Sequence, residues 1–322
     1  MAVLTRVDDK DAEVLAARYG LPAIERIDPI PAGSVNSNFA VRAGERQLFL
    51  RIYEERDLAG AQREAALLER LAGAGVPTPA PLPMRDGRLV SSLRGKAAAV
   101  FPWRSGRMRC QASVTPEDAR RVGEALARVH VAGGPEEAEE GRFRAEDLAL
   151  RLDRIAREGE PVLAAAVPEL RDELKRAHGA RDRSLPGGLT HGDLFRDNVL
   201  WAESGEISAL LDFESACAGT YAYDLMVTVL AWCVGDDVDP VLARAMGSGY
   251  DAVRPLRESE RRALAAEATF AALRFTITRI TDFAMRTNTG APQHMKDWRR
   301  FRMRFLKLQS LGHDGVRRLV GL

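Results

Sequence analysis

Two hydrophobic periods run along this chain, and the switch between them divides it. Leu48, Leu50 and Ile52 alternate with Phe49, Arg51 and Tyr53, the period of two of a strand with one buried face. Residues 24–53 thus predict a strand, a polar turn, and two more strands joined around Ala43-Gly44. Residues 58–75 instead place Leu58, Ala61, Ala65, Leu68 and Leu71 on one helical stripe, closed by Gly73 and Gly75. Ahead of these, residues 10–20 predict a short amphipathic helix ended by Gly20. The proline-rich run VPTPAPLPMRDGRLV leads to a hairpin expected at Asp86-Gly87. KAAAVFPWRSGR then reads as a small strand stopped by Pro102 and Gly106.

Beyond residue 106 the helical period dominates. TPEDARRVGEALARVHVAGG offers Thr115 as N-cap, Pro116 at the first helical position and Asp118 to complete a capping box. An acidic patch at 136–147, more helix to about residue 180, and a mostly helical region from Tyr223 to Leu322 follow. The expected division is therefore a mixed α+β unit over residues 1–102 and a larger helical unit over 103–322, each long enough for its own core.

Composition narrows the function classes. With 46% hydrophobic and 29% charged residues the balance is globular, and the net charge of +1 gives no overall attraction to nucleic acid or anionic membrane. Cys110, Cys217 and Cys233 are too scattered for a disulfide framework or a paired zinc motif. The longest apolar stretch, LMVTVLAWCVG, is well short of the ~20 residues of a membrane span. A soluble, cytoplasmic protein is expected.

Chemistry concentrates between residues 189 and 216. In LTHGDLFRDNVLW, Asp193 is followed by Asn198 five positions on, and VLW and ISALLDF read as two strands turning at Ser204-Gly205. That hairpin carries Asn198 near its start and Asp212 at its far end. An Asn and an Asp offering hard oxygens suit Mg²⁺ beside substrate phosphates, while an Asp held off the metal can accept a proton from an attacking hydroxyl. Such is the layout of phosphoryl transfer, which predicts ATP as donor. A charged Arg51 in mid-strand calls for a partner, and Glu64 on the next helix supplies one; together they stand in for the Lys–Glu pair of kinases. Ser34, Asn36 and Asn38 in AGSVNSN fall where a phosphate-covering loop belongs. Taken singly, each acidic or amide residue here reads as a turn residue making local hydrogen bonds. His191 is expected to be a scaffold residue of the loop, and Asp224 either to fix that loop or to cap the helix it begins.

The chain resembles the aminoglycoside phosphotransferase/choline kinase superfamily, a group of protein-kinase-like fold, and within it the type II homoserine kinases. The resemblance is carried by PAGSVNSNF, GVPTPAPLP, GRLVSSLRGKAAAVFPWRSGR, VGEALARVH, THGDLFRDNVLW, LLDFESACAGTYAYDL and AALRFTITRITDF, in order over roughly residues 25–285. It implies a bilobal α+β fold with a small nucleotide-binding lobe. The adenine would lie against Val100, Phe101 and Trp103, Arg51 and Glu64 would hold the phosphates, Asn198 and Asp212 the metal, and Asp193 would be the catalytic base. Glu214 and Ser215 replace the aromatic pair usual in the homoserine-kinase branch.

Little chain separates Asp212-Phe213 from the apolar segment that follows, so no peptide-docking segment fits and a small acceptor is favoured. Between Arg254 and Arg318 there are 15 Lys and Arg against 6 Asp and Glu. This basic stretch disfavours polycationic aminoglycosides and suits an acceptor with an α-carboxylate, for which Arg274 or Arg279 is the expected partner. L-homoserine is the first candidate; another aminoalcohol, a choline-like compound or an aminoglycoside is the alternative. Phe301, Phe305 and Leu306 in DWRRFRMRFLK are expected in the core rather than on a membrane or nucleic-acid surface. A nucleotide-binding module without catalysis would be marked by loss of Asp193, Asn198 or Asp212, and all three are present.

Overall fold

The alternation at residues 48–53 is realised in an antiparallel sheet. A computed structural model describes residues 4–31, 35–134, 139–141, 143–235, 237–285 and 297–322. It divides into two units, Met1–Arg107 with Leu200–Glu214, and Met108–Val199 with Ser215–Leu322. In the first, helix α1 (Asp9–Tyr19) precedes β1 (Ile24–Pro29), β2 (Ser37–Ala43) and β3 (Arg46–Ile52); α2 (Leu58–Gly73), β4 (Ser91–Leu93) and β5 (Lys96–Pro102) follow. The strands lie in the order β1-β2-β3-β5-β4. Phe39, Val41, Leu48, Leu50, Ile52, Ala98 and Val100 join Leu15 and Tyr19 of α1 in one core cluster. The intervening positions, Asn38 opposite Arg51 and Phe49 opposite Phe101, fall on the other face.

The turn at Asp86-Gly87 joins no strands. Four prolines between residues 77 and 83 lack the N–H a ladder needs, and the segment stays irregular. The hairpin turns instead at Arg94-Gly95, between β4 and β5, where both residues have positive φ (50° and 77°) as a two-residue turn requires.

The second unit opens with α3 (Pro116–Gly133), where the expected Thr115–Asp118 capping box is present. It continues with α4 (Ala145–Glu158), α5 (Pro161–Ala165), α6 (Val167–Gly179) and β6 (Gly187–Thr190). Strands β7 (Val199–Trp201) and β8 (Ile207–Leu210) pair as a hairpin, and residues 200–214 group with the first unit although the sequence boundary placed them in the second. Thr78 Oγ1 donates to Leu210 O (3.1 Å), one of the bonds that tie the hairpin to that unit. Then come β9 (Cys217–Thr220), which pairs with β6, α7 (Tyr221–Trp232), α8 (Pro240–Val253), α9 (Glu258–Arg279) and α10 (Arg299–Val320). Part of the acidic patch, residues 136–138 and 142, lies outside the described residues.

Helices α3 and α8 touch backbone to backbone. A Cβ on Gly123 would stand 2.2 Å from Met246 O, and one on Gly249 would stand 2.1 Å from Arg120 O. Gly123→Ala gains about 1 kcal/mol of helix propensity but must part the helices, at a cost of about 1–3 kcal/mol or more. The expected net result is a lower melting temperature; a rise in a thermal melt would show that the helices separate freely.

On α10 the stripe is Phe301, Arg304, Phe305 and Leu308, spaced i, i+3, i+4, i+7, and all four are buried. Leu306 is off that stripe and 43% exposed, correcting its expected place in the core. Arg304 goes inward instead.

Candidate active site

In the first unit the polar side chains gather around Arg51. Its Nη1 lies 3.3 Å from Glu64 Oε1, the pair expected from sequence, and 3.3 Å from Glu214 Oε1. Asn36 Nδ2 donates to the same Glu214 oxygen, and Asn36 Oδ1 accepts from Glu54 N (3.2 Å). Arg56 closes the ring: Nη1 reaches Glu64 Oε2 at 3.2 Å and Nη2 donates to Glu214 O at 2.7 Å. Burial works against the charge on Arg51, but Glu214 and Glu64 outweigh it and hold the guanidinium ionised. Glu214 is pushed up to about 7, chiefly by burial and then by the nearby carboxylates of Asp212 and Glu64 against the pull of Arg51. Arg51 is thus a half-buried cation already satisfied by two carboxylates, one of which an anionic ligand could replace.

Other expected residues of this unit fall on one face or the other. Asn38 faces Arg51 across the β2–β3 ladder, and Phe101 stacks edge-on with Phe49 at 6.1 Å beside it. Val100 directs its side chain into the core cluster, so on that face only its backbone is available. Trp103, just beyond β5, is half-buried, and its backbone N–H donates to Gln47 O (3.3 Å). Ser34 lies outside the described residues. Asp212 ends the hairpin with φ +62°, a left-handed conformation uncommon outside glycine.

The second unit carries Asp193 and Asn198. Its loop is shaped by Gly192, φ +72°, where a Cβ would come within 2.8 Å of Ser215 O. Fully buried Asp224 accepts from His191 N (2.6 Å) and Gly192 N (2.8 Å), and its Oδ2 is 2.9 Å from His130 Nε2. Burial holds His130 below its usual range, so the ring is neutral; donating from Nε2, it leaves Nδ1 to accept from Tyr250 Oη (2.7 Å). His191 acts in the same scaffold, its Nδ1 accepting from Asp193 N at 3.3 Å. Asn198 Nδ2 donates to Asp193 O (2.8 Å), which leaves Oδ1 as the acceptor of that amide. Asp193 itself is one-third exposed, with Arg274 Nη1 3.8 Å from Oδ1.

The model for the phosphotransferase enzyme family matches residues 26–256. The chain belongs to that family. It is 34% identical to the homoserine kinase of Rhizobium etli over 92% of both chains. It is 32% identical to that of Gluconobacter oxydans over 97% of this chain and all of the other. Among solved structures it is similar to spectinomycin phosphotransferase in complex with ADP and spectinomycin (TM-score 0.70, 11% identity, 98% of each chain). A microcompartment-associated aminopropanol kinase matches equally well (TM-score 0.70, 18% identity, 97% of this chain and 100% of the other). The fold is accordingly the α+β fold of protein-kinase-like phosphotransferases.

Sequence reasoning missed three participants. Arg56 was hidden in the charged run YEERD, where nothing separates an ion-paired arginine from a solvated one. Glu214 stood out only as a departure from the related branch, not as a partner of Arg51. His130 sits among the apolar residues of α3, where a lone polar residue every few turns is the available clue.

Proposed function

We propose that the protein is a homoserine kinase, transferring the γ-phosphoryl group of ATP to the hydroxyl of L-homoserine. The observation that carries this reading is the identity of 32–35% to curated homoserine kinases over more than nine-tenths of both chains. Asp193 is the proposed general base: its carboxylate orients the acceptor hydroxyl and takes its proton as the oxygen attacks phosphorus. Arg51, held by Glu64, contacts the phosphates, with the Glu214 carboxylate yielding its place on Arg51 and Asn36. Phe101 and Trp103 offer apolar surface to the base.

Asp212 and Asn198 are the proposed Mg²⁺ ligands. Their chemistry fits: one carboxylate and one amide oxygen, the latter left over when Nδ2 bonds to the Asp193 carbonyl. When bound, the ion neutralises charge on the phosphoryl oxygens. ATP as donor agrees with the cytoplasmic setting expected from the sequence, and no described helix is long and apolar enough to cross a membrane.

The test is ADP release with Mg-ATP against L-homoserine, L-serine, choline, ethanolamine and kanamycin. Turnover with a clear preference for L-homoserine is expected. Preference for another alcohol would retain the phosphotransferase and move the acceptor.

A further inference from the structure

We propose that Arg279 and Arg304 seat a carboxylate of the acceptor, whereas Arg274 positions the Asp193 loop. This refines the homoserine-kinase reading and rests on it. The two arginines reach one aromatic shelf from different helices. Arg279, at the end of α9, lies 4.4 Å over the Phe301 ring and 5.9 Å from that of Phe195. Arg304, from α10, lies 4.3 Å from the same Phe301 ring. Their observed donors go to backbone carbonyls: Arg279 Nη1 to Asp297 O (3.3 Å) and Arg304 Nη2 to Val234 O (3.2 Å). Among the described residues neither forms an ion pair with a carboxylate, and Arg304 Nε, on a side chain 7% exposed, has no hydrogen-bond partner.

A buried guanidinium beside a half-buried one, without an anion, is costly, because each gives up hydration and repels the other. The cost is visible in their acidity. Burial first, then Arg279, Arg300 and Arg196, bring Arg304 down to about 9. Burial likewise brings Arg279 down to about 10, and the charge that most opposes this is Asp193. Arg279 therefore sits within electrostatic reach of the proposed base. An extended homoserine spans about 5 Å from its hydroxyl oxygen to its carboxylate carbon, four bonds away. A carboxylate there would turn the unfavourable pair into charge-assisted hydrogen bonds.

Arg274 is spent differently. It is 3% exposed, packed 4.0 Å from Phe143 and 3.8 Å from Phe275, and its Nη1 donates to Gly192 O at 3.3 Å. Its donors serve the loop, so of the two arginines considered from sequence, Arg279 is the one for the acceptor.

The experiment compares L-homoserine with L-homoserinol, which keeps the reacting hydroxyl and replaces the carboxylate by a second alcohol. The wild type should favour L-homoserine by about 10- to 100-fold in kcat/KM, mostly through KM. In Arg279→Gln and Arg304→Gln the preference should collapse toward parity by loss on homoserine alone, and Arg279→Lys should recover part of it. Equal use of the two alcohols by the wild type overturns the inference while leaving the kinase reading intact, and needs no variant to fold. Were neither alcohol phosphorylated, the functional reading would fall. The carboxylate seat would then be judged by the thermal shift with L-2-aminobutyrate: a shift in wild type that Arg279→Gln lacks supports it, and no shift overturns it.

Discussion

Asp193→Asn should lower kcat for phosphoryl transfer by about 10²–10⁴, the span that a positioned general base contributes. The substitution keeps volume and much of the hydrogen bonding but removes the proton acceptor. ATP affinity and the melting temperature should change little, because the Asp193 side chain is one-third exposed and the loop is held by other groups. Single-turnover rates, which separate chemistry from product release, are the measurement of choice. A variant retaining more than a tenth of the wild-type rate would remove Asp193 from the proton transfer.

Asp224→Ala carries the largest expected cost in stability. The carboxylate is completely buried and receives two loop amides and His130. Deleting it strands three donors, at about 3–5 kcal/mol as for one member of a buried pair, or a fall in Tm of roughly 6–20 °C. Asp224→Asn keeps one acceptor and should lose less. A near-native melt for the alanine variant would mean that water or another group satisfies the loop.

Acid should weaken the same network in two stages. Burial holds His130 below its ordinary 6.5, against the pull of Asp224. Burial opposes ionisation of Asp224, but His130 and the loop amide of Gly192 outweigh it and keep its carboxyl below 3.8. For both groups the unfolded chain binds the proton more readily, so stability declines as pH falls. The first stage lies below about 6.5 and the second below about 3.8.

The elements that positional pattern alone specifies were legible in the sequence. The β3 alternation, the α2 stripe and the Thr115 cap needed only local periods and hydrogen-bond chemistry. The spacing that proposes Asp193, Asn198 and Asp212 as site residues is local in the same way. Failures came where partners lie far apart in sequence. Glu214 meets Arg51 and Asn36 across more than 150 residues, and no local pattern announces such a meeting. The Asp86-Gly87 dipeptide signalled a turn and was one; what it lacked was flanking backbone able to pair. Leu306 was misplaced by one step of 100°, because on a helix rich in arginine an apolar residue draws the eye before the angle does.

The hairpin that groups with the first unit has a bearing on how the molecule is made. The chain crosses from one unit to the other at 107/108, 199/200 and 214/215. A polypeptide ending at residue 107 therefore lacks the hairpin whose Leu210 bonds to Pro77 and Thr78, and removing residues 1–107 leaves that hairpin without those partners. During synthesis, at about 5–20 residues per second, the ribosome needs roughly 5–20 s to travel from residue 107 to residue 214. Through that interval the five-stranded sheet stands without the β7–β8 hairpin, and the Arg51 cluster lacks Glu214. Its assembly is thus bound in time to the emergence of the Asp193 loop, which leaves the ribosome first.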